Sequence, residues 1–266
     1  MEKIRLTLPS SGALYEDSLK LFKNAGLEIN RPNPRKYVAN ISSIKEIQVL
    51  FQRQSDIPSQ IDQGITDLGI AGKDRYLESR LEEGDSDILL EDLKYGFSKL
   101  VIAVPNYWVD VNSTKDLADI SLIFRSKGQD IRIATKYRRL VKRYLNIKGI
   151  NYFTLVNVSG GLEAAPIIGY ADIIADITAT GNTLRENDLR PLNDGIIINS
   201  QASLICNKKN IKSSKMKISI ISKMLKALEK TLNGTGIALL GSAISSIVGF
   251  GIMGFAPMPM FASFGQ

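Results

Sequence analysis

Residues 163–184, EAAPIIGYADIIADITATGNTL, constrain the fold more than any other part of this 266-residue chain. An apolar run, Ile173-Ile174-Ala175, reaches an acid, Asp176. Four residues later Thr180-Gly181-Asn182-Thr183 opens a stretch, LRENDL, that reads as a helix. Strand, acid, small polar loop and helix start together suit a phosphorylated sugar. From Ala179 to Thr183 the loop offers backbone N–H groups and the hydroxyls of Thr180 and Thr183, and Gly181 allows close approach. The helix N-terminus adds its positive dipole end. An acid at the carboxyl end of a strand accepts hydrogen bonds from sugar hydroxyls, as in dinucleotide folds. Over T-G-x-T alone, an ordinary strand–turn–helix with a threonine cap reads the same way.

The chain has no histidine, so any chemistry falls to carboxylates, lysines, hydroxyls and backbone groups. A single cysteine, Cys206, excludes an intrachain disulfide and a cysteine-cluster metal site. The opening, MEKIRLTLP, enters a strand-like alternation directly, so no secretory signal is expected. The net charge of +7 suggests nucleic acid until it is mapped. Residues 208–230 carry eight lysines and one acid, which accounts for the whole excess. The rest of the protein is neutral, and no nucleic-acid partner is expected.

Strand-like runs at 4–8, 47–51, 67–71, 100–104, 131–134, 152–156, 173–177 and 195–204 alternate with helical spacing. The helical segments are 14–24, a start at Asp56-Ile57-Pro58, a short helix from 114 to 118, 140–146, 162–168 and the lysine-coated 215–232. This order predicts an α/β protein with parallel-rich sheets covered by helices. The continuous apolar run 100–104 marks a central strand.

The spacing E-x5-G-x-A-x2-I-x-D-I-x2-T-G-x-T-L, carried by Glu163, Gly169, Ala171, Ile174, Asp176, Ile177, Thr180, Gly181, Thr183 and Leu184, resembles the signature of ATP phosphoribosyltransferases. FQRQSDIPSQIDQGITDLGIAGKD (51–74), YGFSKLVIAVP (95–105) and IRIATKYRRLVKRYL (131–145) resemble further stretches of that family, in order. The likeness runs over roughly residues 3–232, loosest at the amino-terminal end. It implies a two-lobe catalytic fold like that of periplasmic binding proteins, with parallel-rich mixed sheets. Residues 1–103 plus 193–232 would form lobe I on the ATP side. Residues 104–192 would form lobe II with the phosphoribosyl pyrophosphate site.

The implied reaction opens histidine biosynthesis. N1 of ATP attacks the anomeric carbon of phosphoribosyl pyrophosphate and pyrophosphate leaves, with Mg2+ on the leaving group. Such a reaction needs no covalent intermediate and rests on positioning and electrostatics. The resemblance implies that Asp176 accepts from the ribose hydroxyls and that Ala179, Thr180, Gly181, Asn182 and Thr183 cradle the 5-phosphate. Glu163 is a second catalytic candidate, for ribose or metal; its alternative is a helix-surface acid. Arg53, Gly72, Lys73 and Tyr137 are the ATP-binding candidates. Arg53 and Lys73 read equally as solvated cations, Tyr137 as a core or interface tyrosine, and Asp56 as a helix cap. No metal ligand set is assigned.

Two stretches depart from the family. The first loop has Ser10 and Ala13 where many members carry lysine and arginine. Lys136 and Arg138 stand where members often have serine and proline, and they restore the lost charge in our reading.

The long form of the family ends in a histidine-binding domain that this chain does not resemble. Short members depend on a subunit resembling histidyl-tRNA synthetase, so a homo-oligomer and such a partner are both expected. Residues 233–266 form an uncharged hydrophobic tail in which 236–255 is long enough to span a bilayer behind a polybasic flank. A membrane contact, docking on another subunit and a divergent remnant are the three readings of it. The expected location is cytoplasmic, with membrane association through 236–255 as the variant. The competing functional readings are a type I phosphoribosyltransferase, a two-lobe small-molecule binding protein, and an inactive or regulatory family member.

Overall fold

The computed structural model describes residues 3–158 and 160–233. In chain order it begins with β1 (Ile4–Pro9), α1 (Ala13–Asn24), β2 (Ile29–Asn30), β3 (Val38–Ile41), β4 (Ile44–Gln52), α2 (Ile57–Asp62) and β5 (Leu68–Gly72). Next come α3 (Lys73–Ser79), β6 (Ser86–Leu90), β7 (Ser98–Pro105), α4 (Thr114–Ser126), β8 (Ile131–Thr135), α5 (Arg138–Ile147) and β9 (Phe153–Val156). After a 3-10 turn at Leu162–Ala164, the chain forms β10 (Ile173–Thr178), α6 (Asn182–Glu186), β11 (Leu189–Ser200), β12 (Ala202–Asn207), α7 (Lys208–Lys212) and α8 (Lys215–Asn233).

The chain divides into two compact α/β units. Unit 1 takes the described residues up to Ala71, Leu81–Leu93, and those from Ser203 onward; unit 2 takes Gly72–Arg80 and Lys94–Ala202. The boundaries expected at 103 and 193 would cut β7 and β11. Those strands pair with each other from Leu189–Pro105 through Ser200–Ser98, so both belong whole to unit 2.

Unit 1 is built on a seven-stranded sheet in the order β2-β3-β4-β1-β5-β12-β6. β1 runs parallel to β4 and β5, whereas β3 is antiparallel to β2 and β4, and β6 to β12. Ile4, Leu6 and Leu8 of β1, Ile47, Val49 and Phe51 of β4, and Leu68 and Ile70 of β5 are all buried. Helix α1 turns Leu14, Ser18, Leu21 and Phe22 inward at helical spacing. Gly69 of β5 lies against α2, where an added Cβ would stand 2.6 Å from Ile57 Cγ2 and 2.8 Å from Ile61 Cδ1. Gly69→Ala therefore overpacks this contact and costs about 1–3 kcal/mol, read as a lowered denaturation midpoint.

Unit 2 holds a five-stranded sheet in the order β11-β7-β10-β8-β9. β10, β8 and β9 are parallel, and β7 is antiparallel to both β10 and β11. The apolar run of β7 has a plain cause. Leu100, Ile102 and Val104 pack with Leu117, Val141 and Leu145 on one face of the sheet. Val101 and Ala103 pack with Leu162, Ala165 and Leu184 on the other. Both faces are covered, so the strand cannot alternate with polar residues.

Several expected elements change. The strand read at 195–204 is two strands, β11 and β12, in different sheets. The helix at 162–168 shortens to the 3-10 turn, and α4 lengthens well past 118. A capping box starts α4: Ser113 Oγ accepts from the Asp116 N–H, and Asp116 Oδ2 accepts from the Ser113 N–H at 2.8 Å. The tail from 234, including the 236–255 candidate membrane segment, lies outside the described residues. Among the described residues no helix is long and apolar enough to cross a membrane.

Candidate active site

The parallel strands β8 and β10 end side by side in unit 2, with Thr135 paired to Ala175. The next residue on each strand is therefore a charge: Lys136 beyond β8, Asp176 on β10. Carboxyl ends of parallel strands are where α/β sheets place ligands. Partial burial raises the Asp176 carboxyl above its usual range, and Glu163 pushes it the same way. The Ile177 N–H, which donates to Asp176 Oδ1 at 2.8 Å, opposes the shift, as do Lys136 and Arg75. Glu163 sits half-buried in the 3-10 turn, so both catalytic candidates share one electrostatic neighbourhood.

The loop after β10 closes on its own hydroxyls. Thr178 Oγ1 accepts from the Gly181 N–H at 2.8 Å, and Thr180 Oγ1 from the Asn182 N–H at 3.4 Å. Gly181 has φ 75°, a left-handed conformation that glycine adopts without strain. Ala179, Thr180, Asn182 and Thr183 are exposed. Helix α6 spans only five residues, so its dipole is small, and two of the loop amides, those of Gly181 and Asn182, are occupied by the threonine hydroxyls. The Arg185 guanidinium donates to Asn182 Oδ1 and holds the loop from the helix side.

Ala179 also lines a cavity of about 370 Å³ with Lys73, Phe97, Ser98, Lys99, Asn199, Ser200 and Gln201. Two cations thus stand beside the loop. Gly72 caps α3 in extended backbone, φ −63° and ψ 139°, and the following Lys73 N–H donates to Gln201 O at 2.9 Å. Behind the cavity lies a buried hydrogen-bond hub. Asp74 Oδ1 accepts from Ser200 Oγ and Oδ2 from the Tyr137 hydroxyl, each at 2.6 Å. Ser200 Oγ in turn accepts from the Asp74 N–H at 3.0 Å.

Two solved structures share this fold. A chain of the ATP phosphoribosyl transferase (HisG:HisZ) complex from Thermotoga maritima matches with a TM-score of 0.65 at 24% identity, covering 88% of this chain and 100% of that one. The periplasmic aliphatic sulphonate binding protein SsuA from Escherichia coli matches with a TM-score of 0.51 at 13% identity, covering 94% and 75%. Sequence decides the family. The family model for ATP phosphoribosyltransferase matches residues 53–230. The ATP phosphoribosyltransferase of Mesorhizobium japonicum is 40% identical over 209 residues, 77% of this chain and 90% of that protein. The chain belongs to the ATP phosphoribosyltransferase family.

As a member of that family it is a glycosyltransferase acting at the first step of histidine biosynthesis. Within unit 2, Glu163 acts on the Asp176 carboxyl, and Ala179, the first residue of the loop, lines one cavity with Lys73. Lys73, an expected ATP-binding residue, belongs to unit 2 with that loop. Arg53 is exposed just after β4 and belongs to unit 1. Asp56 precedes α2 without a side-chain cap and accepts from Ser55 Oγ at 2.8 Å.

Tyr137 requires a correction. It is only 2% exposed, so its ring cannot stack on adenine. Its hydroxyl is committed to Asp74, and burial together with that carboxylate holds the phenol far above its usual range. Sequence reasoning did not single out Asp74, Arg75 or Lys99, which the structure places in the hub, against Asp176 and in the cavity lining respectively. Asp74 already stood in the Gly-Lys-Asp motif, but its Ser200 partner lies 126 residues away.

The Lys136–Arg138 pair also divides. Lys136 is exposed and acts on Asp176, whereas Arg138 Nη1 donates to Leu155 O at 3.1 Å. Lys136→Ala should raise the KM for phosphoribosyl pyrophosphate about tenfold, the worth of one charge-assisted contact. Arg138→Ala should leave both substrate KM values within about twofold. Steady-state kinetics with each substrate varied in turn checks both.

Proposed function

We propose that unit 2 binds phosphoribosyl pyrophosphate at the carboxyl end of β10 for transfer of its phosphoribosyl group to N1 of ATP. The observation that carries this is the succession, on one strand end, of a half-buried carboxylate and an exposed amide-rich loop flanked by cations. Asp176 accepts from the ribose hydroxyls and fixes the anomeric carbon. The exposed loop 179–183, with the Thr180 and Thr183 hydroxyls, holds the 5-phosphate, which takes the Gly181 and Asn182 N–H groups over from Thr178 Oγ1 and Thr180 Oγ1, and Lys73 and Lys99 balance its charge. Positive character grows on the anomeric carbon as the bond to pyrophosphate lengthens. A carboxylate ionised beside it gains Coulomb energy in that state over the ground state. Arg53 is kept as the ATP-side cation.

Among the described residues no group of three or more carboxylate or cysteine side chains could hold a metal. Glu163 and Asp176 do offer one or two carboxylates, the donor set that magnesium takes alongside substrate phosphate oxygens. When bound there, magnesium screens the charge of the departing pyrophosphate. A cytoplasmic homo-oligomer with a synthetase-like regulatory subunit completes the reading. The Thermotoga maritima neighbour, a complex of two named components, supports the partner.

Incubation with ATP, phosphoribosyl pyrophosphate and Mg2+, followed by the absorbance of phosphoribosyl-ATP, tests the proposal. Turnover with ATP but not with free bases is the expected result. Absence of turnover, alone and with a synthetase-like subunit, would favour the inactive-member reading.

A further inference from the structure

The buried hub behind the site leaves one charge directed outward. Arg75 follows Asp74 on α3, and its guanidinium carbon lies 4.5 Å from the centre of the Tyr137 ring. Arg75 Nε stands 3.9 Å from Asp74 Oδ2, the oxygen that accepts the Tyr137 hydroxyl. Stacking on an aromatic face and pairing with a carboxylate fix a guanidinium in one orientation. Yet the Arg75 side chain keeps 31% of its surface in solvent, while Asp74 keeps 7%. The hub therefore pre-orients a cation without using all five of its donors.

Topology says which part of a substrate meets it. Tyr137 lies two residues past the end of β8, so Arg75, stacked on its ring, stands on the β8 side of Asp176. The loop 179–183 leads the other way, into α6, which packs on β11. In the sheet order β11-β7-β10-β8-β9, β10 lies between these two sides. A ribose held by Asp176 with its 5-phosphate in the loop directs its anomeric substituent toward β8. That substituent is the pyrophosphate.

Resting on the reading of unit 2 as the phosphoribosyl pyrophosphate site, we infer that Arg75 is a substrate-contacting residue that binds the pyrophosphoryl group, held ready by Tyr137 and Asp74. A planar fork suits paired phosphate oxygens better than an ammonium does. The same cation opposes the upward shift of the Asp176 carboxyl, so it also favours the ionised acid. Arg75 stays intact throughout, and its guanidinium serves only as a donor of hydrogen bonds.

Calorimetric binding to the full chain in Mg2+ tests the assignment with two probes, inorganic pyrophosphate and ribose 5-phosphate. Arg75→Gln should weaken pyrophosphate at least tenfold and leave ribose 5-phosphate within twofold. Arg75→Lys should recover part of the loss, because it returns the charge without the fork. Equal weakening of both probes, or unchanged pyrophosphate affinity in a folded variant, overturns the inference. If Arg75→Gln fails to fold, Arg75→Lys decides: a threefold or greater loss confined to pyrophosphate supports the role, and none removes it. Failure of the site itself looks different, since the unaltered chain would then bind neither probe.

Discussion

Asp176→Asn is expected to lower kcat/KM by about 10²–10³-fold, the usual cost of removing one preorganised electrostatic partner of a transition state. The same substitution should raise the melting temperature near pH 8. Both follow from partial burial of the carboxylate. Desolvation, reinforced by Glu163, raises the Asp176 pKa above the unfolded value near 3.9. The native state then binds this proton more tightly than the unfolded chain. The cost of the charged form is present above the native pKa and is relieved as pH falls through it. Activity runs the opposite way, because protonation removes the acceptor and the developing charge loses its partner. The acid limb of kcat/KM should thus lie above the ordinary carboxylate range and vanish in the Asn variant. A variant that melts lower than the unaltered protein at pH 8, or that keeps its activity, would contradict this account.

Lys217→Met should be the most destabilising single change in unit 1. Lys217 Nζ donates to Asp67 Oδ1 at 3.1 Å, and both side chains are about 5% exposed (6% and 5%). Asp67 Oδ2 accepts from the Arg5 N–H at 2.8 Å, so one carboxylate ties α8 to β1 at the start of β5. Removing the cation strands a buried charge, at a cost of about 3–5 kcal/mol. The double variant Asp67→Asn/Lys217→Met should recover much of it, since no unpaired charge remains. Urea unfolding followed by thiol labelling suits the measurement. The one cysteine, Cys206, lies in β12 of the same sheet at 4% exposure, and burial raises its thiol pKa to about 12. Unreactive in the native state, it reports opening of unit 1. A loss under 1 kcal/mol would show that the pair has no such role.

The alternation of apolar runs and helical faces predicted the α/β class because most strands of the two sheets are short apolar runs separated by helical spacing. The phosphate segment was legible for a related reason: its acid, glycine and threonines are contiguous. What escaped notice came from distance along the chain. The hub joins Asp74 to Tyr137 and Ser200, residues 63 and 126 positions apart. No local spacing shows that a tyrosine near a motif is spent inside. The break between β11 and β12 was invisible because only Gln201 separates two strand-forming runs. The edge strand β2 and its neighbour β3 are too short to alternate visibly. Arg75 carries no signal at all in sequence, being one basic residue among 34.

The interleaving of the two units sets an order of completion during synthesis. Every residue of unit 2 precedes position 203, so its sheet can close while the chain is still emerging. Unit 1 cannot. Its strand β1 comes early in the order of elements, yet β12, which links β5 to β6, arrives some two hundred residues later, and Lys217 later still. Until then β5 lacks its neighbour and Asp67 lacks its cation. The earliest strands of unit 1 are therefore among the last to be secured, and any factor that shields nascent chains has a long task at β1–β5.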